Sequence, residues 1–115
     1  MAQDFERSYA SSISNSAGSP TTLVTSNSDD ALVSIRCVNK STASANVTVL
    51  VSSGGTDYYI IKDAPIVQGG SLELIDSGSK IVIQSADVLQ AYADTASAVD
   101  VLVSYVDAIL SLIHI

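Results

Sequence analysis

From residue 21 onward, short aliphatic stretches recur about every ten residues, each closed by turn-forming residues. Several of them alternate in hydropathy with a period of two. Val33, Ile35 and Cys37 are interleaved with Ser34 and Arg36, and Val47, Val49 and Val51 with Asn46, Thr48 and Ser52. Near the end of the chain, Val99, Val101, Val103 and Tyr105 alternate with Asp100, Leu102, Ser104 and Val106. A period of two places successive side chains on opposite faces, which is the pattern of a strand and not of a helix. Gly54-Gly55 supplies a tight turn between residues 45–52 and the run Tyr58-Tyr59-Ile60-Ile61, a hairpin signal.

Weaker strand signals fill the intervals. Thr22 to Thr25 reads as a short edge strand. Leu72 and Leu74 flank Glu73, Ile81 and Ile83 share a face, and Leu89 and Ala91 follow Asp87. Asn27 to Asp30, Asp76 to Ser79 and Ala93 to Ser97 read as turns, and Asp63 to Gly70 as a loop. The fold expected is all-β: an antiparallel β-sandwich or jelly-roll-like domain of about eight short strands. The chain has 115 residues, one domain's worth. Its hydrophobic fraction of 47 % is mostly Val, Ile, Leu and Ala, with aromatics at 5 % and no Trp. Such β-branched aliphatics suit a pleated core.

Both ends depart from this pattern. Residues 1–20 are crowded with Ser8, Ser11, Ser12, Ser14, Ser16 and Ser19, and read as a flexible N-terminal arm. Tyr9 and Ile13 are its larger apolar groups, candidates for anchoring the arm to a partner. Residues 21–107 form the sandwich domain. Residues 108–115 are an apolar tail in which Ile109, Leu110, Leu112, Ile113 and Ile115 are too greasy to stay in water. Packing of this tail on a neighbouring subunit, or on its own sandwich, is expected.

The charge narrows the partners. A net charge of −7 with five Lys plus Arg disfavours nucleic acid and anionic membrane surfaces, which recognise cations. Met1 to Ala10 carries Asp4 and Glu6 without a following apolar core, so no signal peptide is expected. No apolar run approaches the ~20 residues that span a bilayer. The expectation is a chain that stays in a cytoplasm or leaves it within a larger assembly.

Catalytic chemistry is poorly supplied. His114, in the apolar tail, is the only histidine, and Cys37, in an apolar strand, the only cysteine. Neither a nucleophile–base pair nor a Cys/His zinc site is expected, and Cys37 reads as core. The aspartates cluster in turns, where they cap backbone groups. They offer oxygens to calcium without EF-hand spacing. A glycosidase needs converging carboxyls and aromatic platforms, which this composition does not favour. Gly54-Gly55 and Gly69-Gly70 lack the Lys-Ser/Thr of a phosphate loop. Asn39-Lys40-Ser41 and Asn46-Val47-Thr48 fit the glycosylation triplet, which arises often by chance. No enzyme activity and no cofactor are expected. Tyr58 and Tyr59 are adjacent in a strand, so one should be buried and the other exposed as an interface anchor.

The run Ala31-Leu32-Val33-Ser34-Ile35-Arg36-Cys37-Val38-Asn39-Lys40 resembles a pattern in small virion proteins of tailed phages, especially marine and cyanobacterial ones. So do Thr56-Asp57-Tyr58-Tyr59-Ile60-Ile61-Lys62-Asp63-Ala64-Pro65-Ile66 with Gly70-Ser71-Leu72-Glu73-Leu74, and Ala98-Val99-Asp100-Val101-Leu102-Val103-Ser104-Tyr105. The likeness covers roughly residues 22–106 and consists of strands and turns. It implies a structural component of the virion, assembled in the host cytoplasm, whose partners are other copies of itself and other virion proteins. Capsid decoration through subunit contacts is the leading expectation. A neck, tail or fibre part with a receptor- or carbohydrate-binding sandwich is the alternative.

Overall fold

A computed structural model describes residues 4–75 and 80–107 of the chain. Among these, nine strands follow one another: β1 (Asp4–Ala10), β2 (Thr21–Thr25), β3 (Asp30–Asn39), β4 (Ala45–Ser53), β5 (Thr56–Ile66), β6 (Ser71–Glu73), β7 (Ile81–Ile83), β8 (Val88–Ala93) and β9 (Val99–Asp107). One sheet has the order β1–β9–β3–β6, with β7 also paired to β3. The other has the order β2–β8–β4–β5. Every pairing is antiparallel.

The pairings describe one long hairpin rolled on itself. Its tip is the β4–β5 turn at Gly54-Gly55, whose φ angles of 59° and 85° are the left-handed values that a tight hairpin turn requires. Below the tip, β3 pairs with β6 and β7, β2 with β8, and β1 with β9. Rolling then makes β9 and β3 neighbours in one sheet, and β8 and β4 in the other. This is the jelly-roll order, a sandwich of two interleaved Greek keys. The all-β sandwich expected from the alternating stretches is what the structure contains.

The core lies between the sheets. Leu32, Ile35 and Cys37 of β3 and Val99, Val101 and Val103 of β9 meet Val47 and Val49 of β4 and Leu89, Ala91 and Ala93 of β8. The phase of β3 differs from the sequence reading at one place. A bulge between Leu32 and Ser34 takes Val33 off the core face and puts Leu32 there. β5 is longer than expected and runs through Asp63 and Pro65, which were assigned to a loop. It tolerates both because it is an edge strand: proline costs no ladder bond there, and a bulge absorbs Asp63 at φ 51°. At that bulge the Asp63 amide donates to Thr48 Oγ1 at 3.0 Å, which gives the buried Thr48 hydroxyl its partner.

The N-terminal segment corrects the sequence reading most. Residues 4–10 are not a flexible arm but the first strand of the roll, paired with β9 from Asp4↔Asp107 to Ala10↔Val101. Backbone pairing orders them where apolar content alone does not. The crossing from one sheet to the other is fastened on both sides. Ile13 N–H donates to Val99 O at 2.9 Å, and Ala93 N–H donates to Ser14 O at 2.8 Å. The Ser8 hydroxyl adds a 2.6 Å bond to Leu23 O. Ile13, expected to anchor a partner, is instead 2 % exposed inside the molecule's own core.

Candidate interaction surface

Antiparallel residues that lie directly opposite share a face, so the register fixes what the β1–β9–β3–β6 sheet presents outward. Arg36 of β3 lies opposite Leu102 and Glu73, and Tyr9 opposite Leu102. Glu73 is held by the Arg36 guanidinium at 3.4 Å, by the Ser34 hydroxyl and by the Ile35 amide at 3.1 Å. Asp100 receives Lys40 Nζ at 2.9 Å and the Ser12 amide at 2.8 Å. Burial pushes the Asp100 carboxyl upward, but Lys40, the Ser12 amide and Ser11 together hold it below the usual range. Tyr9 is 61 % exposed, with the Arg7 guanidinium 4.6 Å from its ring centre, and Phe5 is 87 % exposed. Of the expected anchors in the N-terminal segment, Tyr9 is therefore on the surface and Ile13 is not. Phe5 was missed because nothing in the sequence marks residues 4–10 as a paired strand.

A second surface lies at the open side of the sandwich, between the edge strands β5 and β7. Val51, Tyr58, Ile60, Ile81, Ile83, Ser53 and Asp87 line a cleft of about 430 Å³ there. Tyr58 lies opposite Val51 and Tyr59 opposite Leu50. Their side chains leave opposite faces of β5, as the alternation predicts. Yet both are exposed, at 59 % and 47 %, which corrects the expectation that one is buried. The reason is architectural. β5 is an eleven-residue edge strand, and the three-residue β7 across the cleft is too short to cover it. Lys62 Nζ sits 4.7 Å from the Tyr59 ring centre. Hydrogen bonds from the Gln84 amide and the Ser53 hydroxyl hold the Asp87 carboxyl below its ordinary range.

The remaining candidates resolve differently. Cys37 is buried, and burial followed by the nearby Glu73 charge pushes its thiol up to about 12. Asn39 of the first glycosylation triplet is buried and fully bonded, so its amide is closed to modification. Among the described residues, no group of three or more His, Cys, Asp or Glu is placed to hold a metal ion. Ile109, Leu110, Leu112, Ile113 and Ile115, together with His114, lie outside the described residues.

No protein family model matches the chain, and no curated protein matches it in sequence.

Proposed function

We propose that this chain is a non-enzymatic structural protein of a phage virion, a capsid decoration subunit that works through contacts with other subunits. One observation carries this reading. Large apolar side chains, Phe5 and Tyr9 foremost, are presented outward on backbone that a sheet holds in register. An exposed aromatic on a paired strand gives contact area at little entropic cost, which is what a subunit interface uses. The topology agrees, since jelly rolls recur in viral capsid domains, although that is analogy from fold and not from a site. The net charge of −7 keeps free copies soluble and favours a place away from packaged DNA.

The test is direct. Antiserum raised against the full chain should label purified particles of the phage that encodes it. The chain should also remain with the particles through gradient purification. Its absence from such particles would end the proposal.

The β5–β7 cleft favours a second reading, a fibre or tail part that binds carbohydrate. The exposed Tyr58 ring beside an ionised carboxylate and the Ser53 hydroxyl, with Tyr59 at the rim, offers a stacking surface and hydrogen-bond partners for a sugar. Glycan-array binding by the full chain that is lost in Tyr58→Ala and Tyr59→Ala supports this reading. An empty array removes it.

A further inference from the structure

We propose that the cleft between β5 and β7 is the docking site of the chain's own C-terminal segment, with Leu112 to Ile115 lodged in it. The inference stands apart from the virion reading and names what closes the open side of the sandwich.

The cleft is where the core comes to the surface. Val51, Ile60 and Ile81 line it, and each is a half-buried side chain that packs on the main core from behind. Ile83, beside them, is already buried. Aliphatic groups left half-covered between two sheet edges are satisfied by a short apolar segment laid over them. Residues 108–115 are such a segment. Ile109, Leu110, Leu112, Ile113 and Ile115 fall on both faces of an extended chain, so the segment needs cover on both sides.

The register puts the segment's starting point within reach. Ala31 lies opposite Val106 on one side of β3 and opposite Val82 on the other, and the neighbouring Asp30 lies opposite Ile83. The end of β9 and the end of β7 therefore stand at the same end of the sandwich, two strand spacings apart. The cleft opens at that end too, because the Gln84 amide donates to Asp87 at 2.9 Å and Ser53 bonds the same carboxyl. From Asp107 across β3 and past β7 is three spacings, about 14 Å. Eight extended residues reach about 26 Å. About four residues make the crossing, which leaves Leu112 to Ile115 for the cleft.

Charge and tethering select this occupant. Asp87 is the one charged residue among those that line the cleft, and residues 108–115 contain no carboxylate side chain to oppose it. Their one basic group, His114, falls within the stretch that the reach assigns to the cleft. A segment anchored so near meets the cleft at an effective concentration on the order of millimolar. At micromolar protein a chain's own segment therefore prevails over a neighbour's.

Methyl nuclear Overhauser contacts in the full chain test this. The expected result is contacts from Leu112 or Ile113 to Ile60 or Ile81 that persist when labelled chain is diluted with unlabelled chain. A second measurement oxidises Tyr58→Cys combined with Ile113→Cys, since Cys37 is buried and does not compete. The disulfide should form within a monomer, at least about tenfold faster than in Tyr9→Cys with Ile113→Cys, whose first cysteine lies on the opposite sheet. Circular dichroism should show both double variants folded. Contacts that are absent, that fall elsewhere on the molecule or that vanish on dilution with unlabelled chain overturn the proposal. So does a disulfide-linked dimer, or equal rates in the two double variants. Particle labelling by antiserum is independent of every one of these results, so failure of this inference and failure of the virion reading are told apart.

Discussion

Asn39 sits at the end of β3, where three segments of chain meet, and its side chain ties them together. Its Nδ2 donates to Ala43 O at 2.8 Å and Ile66 O at 2.9 Å, while its Oδ1 accepts from the Ser41 amide and hydroxyl. If the amide is removed, Ile66 O loses this buried bond and the Ser41 amide its acceptor, while Ala43 O keeps the Ser41 hydroxyl, and a buried unpaired group costs about 1–3 kcal/mol. Asn39→Ala should therefore lower the unfolding free energy by about 2–3 kcal/mol in urea titration. A loss no larger than that of a surface substitution contradicts this account. Cys37 makes a different prediction. With its thiol at about 12 and its side chain sealed in the core, it should resist alkylation at pH 8 in the folded state and react only on unfolding. Because the folded value lies above the ordinary value of 9.0, the unfolded chain loses this proton first as pH rises. Stability should hold below pH 9 and fall as pH climbs toward 12. Part of that fall should vanish in Cys37→Ala. Tyr105, raised by burial and then by Glu6, Asp30 and Asp107, keeps a slope of the same sign.

At the scale of elements, the chain's own alternation carried most of the fold. Strands such as β4, β8 and β9, whose aliphatics recur at every second position, were legible because a one-residue slip would turn their whole apolar set outward. Two kinds of element were not. β5 continues past Asp63 and through Pro65, residues that read as loop until its place at a sheet edge is known. β1 contains Ser8, Arg7 and Glu6 and owes its order to the backbone of β9, a partner about a hundred residues away that no local pattern reveals. The candidate surface followed suit: Tyr9, Tyr58 and Tyr59 are exposed, though only one of the paired tyrosines was expected to be, whereas Ile13 lies in the core and Phe5 was overlooked with the strand that carries it. Ile13→Ala should cost about 2–5 kcal/mol, the range for emptying an aliphatic core position. Tyr9→Ala, on the same segment but outside the core, should cost well under half as much. Equal effects in thermal denaturation would mean that the segment is not docked as described.

The whole molecule is built almost entirely from contacts between distant parts of the sequence, since β1 closes on β9 and β2 on β8. Loops must close before such pairings reward the chain, so folding should be slow for its size. Stopped-flow refolding should give relaxation times of milliseconds to seconds, typical of all-β topologies. Microsecond refolding would contradict the rolled-hairpin topology. Acid should loosen the molecule as well. Asp100 and Asp87 are both held below the ordinary carboxylate value, so the stability they contribute is present above the unfolded value of 3.8 and lost as pH falls below it. Asp100→Asn should flatten the acid limb of a stability–pH curve.

β3 shares its far margin between two partners, β6 and β7, each three residues long and separated in the chain by the segment from Leu74 to Lys80. A border broken in this way offers no continuous ladder of free amides and carbonyls for another strand to extend. Copies of the molecule cannot be stitched together along this border, although β1, β2 and β5 leave the other margins open. A sheet that can be extended only at β1 closes after two copies, so this layer is steered toward pairs and away from fibres.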